Sequence, residues 1–339
     1  VERLFSVFQF MKSSSLISIL ALLALVSVPV VGGDKSAGHD STGGWADAVV
    51  LESRNEGIRA VVVPSVGGRV VSYGKRGENI LWLNPNATGG GDSADPGGFQ
   101  CDIGPMVAGL KPHPTLWSGA YSSTKRKSQT LVMKSAEDKA LELELEKEVV
   151  LDPASGDLGF VHRIKNLSDR NQAYCLWHRI ACRPGGFVLA QLNKKSRFKA
   201  GWSMLRENNG KWSYDGLKPE SAAVKVLDGI LVAQTGSNGA RIGVDTGTQW
   251  VAYVLGRTLF VVHFPVYSVA IYSEGGNSLT VAWDDTKTEI APHSPESRLA
   301  SRKSYEFPLK WTWIDLPAEV TTHEQARALV DQIPGSPFE

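Results

Sequence analysis

A chain of 339 residues with 42% hydrophobic and 9% aromatic content can bury a substantial core, as one large all-β domain or two ordinary ones. This composition excludes a disordered or fibrous protein. Its 36 Lys and Arg against 35 Asp and Glu leave no excess charge to collect phosphates or anionic lipid, so nucleic acid is not an expected partner.

The first segment reads as an address. Ser13 to Val31 is uncharged and apolar, led by Lys12 and closed by Pro29 and the small pair Gly32 and Gly33. That layout predicts a secretory signal peptide over residues 1–33, with Met11 as initiator and residues 1–10 untranslated. The apolar length would also suit a transmembrane anchor. A polar linker at 34–46 follows without a basic stop-transfer cluster, so the expectation is cleavage, export to the periplasm or exterior, and no stable membrane insertion.

From residue 47 to 316 the chain is a succession of short strand candidates separated by turn residues, many of them Gly and Pro. Strands are expected at 49–53, 58–64, 69–74 and 79–83. The clearest is 140–151, where Leu141, Leu143 and Leu145 alternate with Glu142, Glu144 and Glu146, giving one apolar face at period two. Further strands are expected at 158–166, 172–182, 187–192, 249–255, 259–264, 269–274, 278–283 and 304–316. Many strands without alternating helices predict an all-β fold, closed most simply as a large antiparallel β-sandwich.

Two segments depart from this pattern. Asn84 to Pro105 is Gly- and Asp-rich and reads as one long loop, of the kind that carries function on a rigid scaffold. In the tail at 317–339, Thr321 or Thr322 can cap a short helix whose apolar face is Ala326, Leu329, Val330 and Ile333. The three cysteines cannot all pair within one chain. Cys175 and Cys182 share one extended run, about 23 Å apart, so no disulfide framework is expected.

Three blocks, in order, carry a resemblance. Val62 to Trp82 contains a strand ending in Pro, a Gly-Gly-Arg turn, and an Asn-hydrophobic-Leu-Trp segment. His162 to Ile180 contains an Asn-x-Ser turn followed by a strand bearing a histidine, and Thr288 to Trp311 places an acidic residue before a Pro-rich turn and an aromatic-ended strand. Over 47–316 the chain resembles the galactose mutarotase-like (aldose 1-epimerase-like) β-sandwich superfamily. The segments GGFQCDIGP and KPHPTLW are similar to a bacterial exported subfamily of undefined function. The resemblance implies a carbohydrate ligand, small or oligomeric.

Mutarotation needs a base for the anomeric hydroxyl and an acid for the ring oxygen, which a carboxylate and a histidine on opposite sides of one sugar can supply. By resemblance the acid maps to His178 and the base to Glu289. Beside these stand the plainer roles of a hydrogen-bonded wall histidine and a solvated turn carboxylate. Arg69 can grip a hydroxyl or a carboxylate, or fix its turn by an ion pair. His113 lies between two prolines next to Trp117, lining a cleft or bracing the connection. Trp117 and Trp177 offer flat faces to sugar C–H groups, whereas Trp311 and Trp313 alternate along one strand and read as core. Asp102 completes the substrate-binding candidates.

Asp92, Asp95 and Asp102 are hard oxygen donors, but their spacing matches no regular calcium loop, and no zinc, P-loop, Rossmann or nucleophile-elbow pattern is present. Neither metal nor cofactor is expected. The second histidine and the aspartate with which mutarotases hold hydroxyls find no matching motif, His162 and His263 being the available histidines. The reading is therefore a monomeric carbohydrate-binding protein, with anomer interconversion by His178 and Glu289 as its catalytic form. A non-catalytic envelope structural or interaction protein is the alternative.

Overall fold

The structure is a computed structural model that describes residues 44–87, 95–104, 113–127, 129–209 and 211–338. The expected leader, most of the linker and Asp92 lie outside these residues.

In chain order the strands are β1 (Val49–Glu52), β2 (Ile58–Val63), β3 (Arg69–Lys75), β4 (Phe99–Gly104), β5 (Ser122–Lys127), β6 (Thr130–Lys134) and β7 (Leu143–Leu151). They continue with β8 (Leu158–Asn166), β9 (Gln172–Cys182), β10 (Phe187–Gln191), β11 (Trp202–Asn208), β12 (Lys211–Asp215), β13 (Val224–Leu227) and β14 (Ile230–Gln234). The last are β15 (Ala240–Val244), β16 (Trp250–Leu255), β17 (Thr258–His263), β18 (Leu279–Trp283), β19 (Thr288–Pro292), β20 (Ser297–Leu299) and β21 (Ser304–Asp315). Helix α1 (Pro114–Trp117) precedes β5, and α2 (His323–Arg327) follows β21.

Two antiparallel sheets result. The first runs β1-β2-β3-β4-β9-β19-β18-β15-β11-β12, with β20 also on β9, and the second runs β13-β14-β10-β16-β17-β21-β8-β7-β6-β5. Period-two burial explains their packing. Along β7, Leu143, Leu145, Lys147, Val149 and Leu151 point inward, and along β21 Phe307, Leu309, Trp311 and Trp313 do so. One core cluster draws on both sheets, with Leu176, Ile180 and Ile290 from the first and Phe160, Phe260 and Trp311 from the second. The tail helix has a capping box between Thr322 and Gln325, and Ala326 and Leu329 pack on the second sheet's other face, against Phe187, Leu189 and Ile230.

Three sequence expectations need correction. The strand expected at 140–151 begins only at Leu143, because the Asp138 carboxylate accepts from the amides of Ala140 and Leu141 and Glu142 adopts a left-handed φ of 54°. Residues 269–274 form turns: Tyr272 Oη accepts from the Tyr267 amide, and Val269 is 97% exposed. Residues 79–83 make only isolated bridges, Leu81 with Cys182 and Leu83 with Gly97. Conversely, the segment read as a loop from Asn84 contains β4, a central strand whose Phe99, Cys101 and Ile103 face the core. All three cysteines are free and buried. Among the described residues no helix is long and apolar enough to cross a membrane.

Candidate functional site

Strand β9 is apolar on both faces by composition, yet its two faces do different things. Leu176, His178, Ile180 and Cys182 point between the sheets, while Trp177, Arg179 and Ala181 point to the outer face of the first sheet. Register brings partners to that face: Asp102 lies opposite Trp177 on β4, and Glu289 opposite Ala181 on β19.

Arg179 is the hub. Its Nε and Nη2 donate to Glu289 Oε2 at 3.1 and 2.6 Å, and its guanidinium lies 4.7 Å from the ring centres of both Trp117 and Trp177. Burial alone would raise the Glu289 pKa, but the adjacent Arg179 charge and hydrogen bonds outweigh it and hold the group below its usual range, as a carboxylate. Arg241 approaches the other tryptophan contact, 5.7 Å from the Trp177 ring, and its Nε donates to Tyr214 Oη at 3.2 Å.

A second ion pair comes from the Gly-Gly-Arg turn. Arg69 Nη1 donates to Asp95 Oδ1 at 3.0 Å and to the Gly97 carbonyl at 2.7 Å, with its charge 5.2 Å from the Trp117 ring. Burial lowers the Arg69 pKa and Asp95 opposes that shift. Asp95 would likewise be raised by burial, but Arg69, Arg179 and Lys287 pull it below the usual carboxylate value. Lys287 Nζ lies 3.9 Å from Asp95 and 4.9 Å from the Trp82 ring centre.

The third polar pair is Asp102 with His113, in direct hydrogen-bond contact through Oδ1 and Nε2. His113 precedes α1, and α1 carries Trp117 over the arginines. The turn at Gly67 sets this arrangement: it has a φ of 85°, and a Cβ there would meet the Trp117 carbonyl at 2.3 Å. Gln100 Nε2 donates to the same carbonyl, and buried Lys147 reaches across from β7 to donate to the Gly67 carbonyl at 2.7 Å and Gln100 Oε1 at 3.2 Å.

Of the sequence candidates, Arg69, Asp102, His113, Trp117, Trp177 and Glu289 therefore gather on one face. His178 does not join them. Its ring is fully buried between the sheets, stacked with Phe307 at 5.3 Å and His162 at 5.1 Å, and burial pushes its pKa down to about 3. The acid–base pair of His178 and Glu289 is thus not assembled, because the two side chains lie on opposite sides of the sheet. Neither other histidine fills the gap: His162 is in the same core, and His263 Nε2 donates to the Pro334 carbonyl, tying down the tail. Arg179, Asp95, Arg241, Lys287 and His293 were not read as site residues. His293 stacks on Trp177 at 6.2 Å. A signal for Arg179 existed in the sequence: Trp177 and Arg179 sit at strand spacing, so only one of the neighbours His178 and Arg179 can share the tryptophan's face.

A separate cavity of about 350 Å³ lies among Asn193, Arg197, Asp245, Gln249, Tyr267 and Gly276. Its lining holds one carboxylate and no tryptophan, so the Arg179 face is the better-equipped site.

Comparison with known proteins gives a fold-level answer. No family model matches the sequence, and no curated protein matches it. Solved structures do. A candidate aldose 1-epimerase from Escherichia coli K12 is similar at a TM-score of 0.59 and 11% identity, covering 79% of this chain and 100% of that one. A protein from Synechocystis sp. PCC 6803 is similar at 0.58 and 14% identity, covering 79% and 96%. A galactose mutarotase-like protein from Lactobacillus casei ATCC 334 is similar at 0.55 and 8% identity, covering 79% and 100%.

Proposed function

On the galactose mutarotase-like fold that this chain has, we propose that it binds a carbohydrate at the outer face of the first sheet. One observation carries the reading: two arginine–carboxylate pairs and the Asp102–His113 contact converge around Trp117 and Trp177. Guanidinium forks donate to hydroxyls, carboxylates accept from them, and the half-buried Trp117 indole offers apolar surface to the sugar's C–H groups. The cation–π contacts hold the forks in place before any ligand arrives, which lowers the ordering cost of binding. The ligand class we favour is a monosaccharide or the end of an oligosaccharide. We further propose that the protein is exported and monomeric.

A catalytic form of this reading follows from which histidine shares the face of Glu289. Glu289 is held ionised, as a base requires, and two histidines contact residues of that face: His293, which is buried against Trp177, and His113, which is half-buried and pairs with Asp102. Proton abstraction from the anomeric hydroxyl by Glu289 and donation to the ring oxygen by His113 would interconvert anomers.

Titration calorimetry with a panel of aldoses, followed by polarimetry on freshly dissolved α-anomers, tests both forms. We expect binding that weakens at least about tenfold in Glu289→Gln, about 1.4 kcal/mol. Mutarotation accelerated by the wild type and lost in both Glu289→Gln and His113→Ala establishes the catalytic form. Binding without acceleration leaves a binding protein, and no binding of any sugar overturns the reading in favour of a structural or interaction role.

A further inference from the structure

On the opposite side of the same strands, Cys101 of β4, His178 of β9 and His162 of β8 bring a thiol and two imidazoles together, one ligand atom of each lying within 4.8 Å of the others. Cys101 and His178 are cross-strand partners in the first sheet, and His162 reaches in from the second. All three are buried, with walls of Phe99, Phe160 and Phe307.

The hydrogen bonding of these groups is incomplete in a directed way. His178 Nδ1 faces the Pro292 carbonyl at 3.3 Å, and since a carbonyl only accepts, that nitrogen carries the proton. The neutral ring then presents the Nε2 lone pair. Among the described residues His178 Nε2 and His162 Nδ1 are both buried without a hydrogen-bond partner. The Cys101 thiol has only a weak contact, 3.9 Å to the Asp102 carbonyl. Buried polar groups without a partner cost about 1–3 kcal/mol each, and a carbonyl fixing the remote nitrogen, as at His178, is the usual outer support of a metal-bound histidine.

We propose that Cys101, His162 and His178 form a buried three-coordinate site for copper(I). Thiolate with imidazole is a donor set for soft ions. Charge selects the oxidation state. A thiolate and a monovalent ion sum to zero, which an aromatic core tolerates, whereas a divalent ion would leave net positive charge in a core that already holds the Lys147 ammonium. Binding transfers the thiol proton to solvent and makes one metal–sulfur and two metal–nitrogen bonds. Bonds of about 2.0–2.3 Å require donors roughly 3.5 Å apart, so the side chains close inward on the ion. All three side chains are 2% exposed or less among the described residues, so metal enters as the chain folds.

The full chain would be refolded anaerobically in the presence of copper(I) with ascorbate, or of zinc(II), then dialysed against a weak chelator and analysed for metal content and X-ray absorption. We expect one copper per chain, one sulfur and two nitrogen neighbours, and a raised thermal midpoint. Cys101→Ser and His178→Phe, the second conserving a planar ring in the stack, should fold by circular dichroism and retain about one-tenth of the copper or less. Absence of copper from refolded wild type, retention undiminished in a folded Cys101→Ser, or preferential retention of zinc would each overturn the assignment.

Discussion

Arg179 satisfies a carboxylate with two nitrogens while its charge is shared between two indole rings, which fixes its guanidinium on the outer face. Removing one partner of such a pair leaves the other charge desolvated and alone. In Arg179→Met the burial of Glu289 acts with only the more distant Arg241 and Lys287 against it, so its pKa should rise above 4.5 and stability at neutral pH should fall by about 2–4 kcal/mol. The carboxyl resonance followed by NMR titration, with urea unfolding beside it, reads both. An unchanged Glu289 pKa would show that Arg179 is not what holds it ionised. The same strand explains what the sequence disclosed at this scale. Residue types and order point to Arg69, Asp102, Trp117 and Glu289, but motif likeness points to His178 and not Arg179 because it says nothing about strand parity, and one step along a strand exchanges the core for the outer face.

Between residue and sheet, the turn at Gly67 and Gly68 joins β2 to β3 and sets the height of α1 above the arginines. Gly67 has a left-handed backbone, a Cβ on it would meet the Trp117 carbonyl, and its own carbonyl accepts from Lys147. Gly67→Ala should therefore cost at least about 2 kcal/mol and displace Trp117. A shifted tryptophan emission, a lower urea midpoint and weakened sugar binding are the expected signatures, and wild-type emission with wild-type affinity would show that the turn does not position α1. Strand β21 was legible because its inward residues Phe307, Leu309, Trp311 and Trp313 are all apolar, and β8 because Leu158, Phe160 and Ile164 keep the same period around His162. Strand β4 was hidden inside a Gly- and Asp-rich run, since three inward residues are too few to outweigh the turn formers around them. The apolar run at 269–274 failed for the opposite reason: it has β-forming residues but no sheet edge to pair with.

Across the whole molecule, burial of titratable groups predicts a stability maximum near neutrality. His162, His178 and His293 are buried and held neutral, all with lowered pKa values caused first by burial. Each takes up a proton near pH 6.5 in the unfolded chain but resists it in the fold, so below that pH the unfolded state binds more protons and stability drops. Between pH 7 and pH 5 this amounts to roughly 2 kcal/mol per histidine, and the lowered carboxylates Glu289 and Asp95 add their loss further down, below their unfolded values. On the alkaline side the three buried thiols are all pushed up, Cys101 and Cys175 to about 12. Above about pH 8.5 the unfolded chain ionises them and the fold cannot, which again favours unfolding. Lys147 works against this, because burial lowers it to about 8 and its stability contribution grows as pH rises, but it is one group against three. Urea midpoints of chelator-treated protein should accordingly fall on both sides of a maximum between about pH 7 and 8.5. His293→Gln, which keeps a partner for Thr280 Oγ1, should flatten the acid limb by about one histidine's share. A midpoint constant from pH 7 to pH 5 would mean that these imidazoles are protonated or hydrated in the fold, against the burial that the structure gives them.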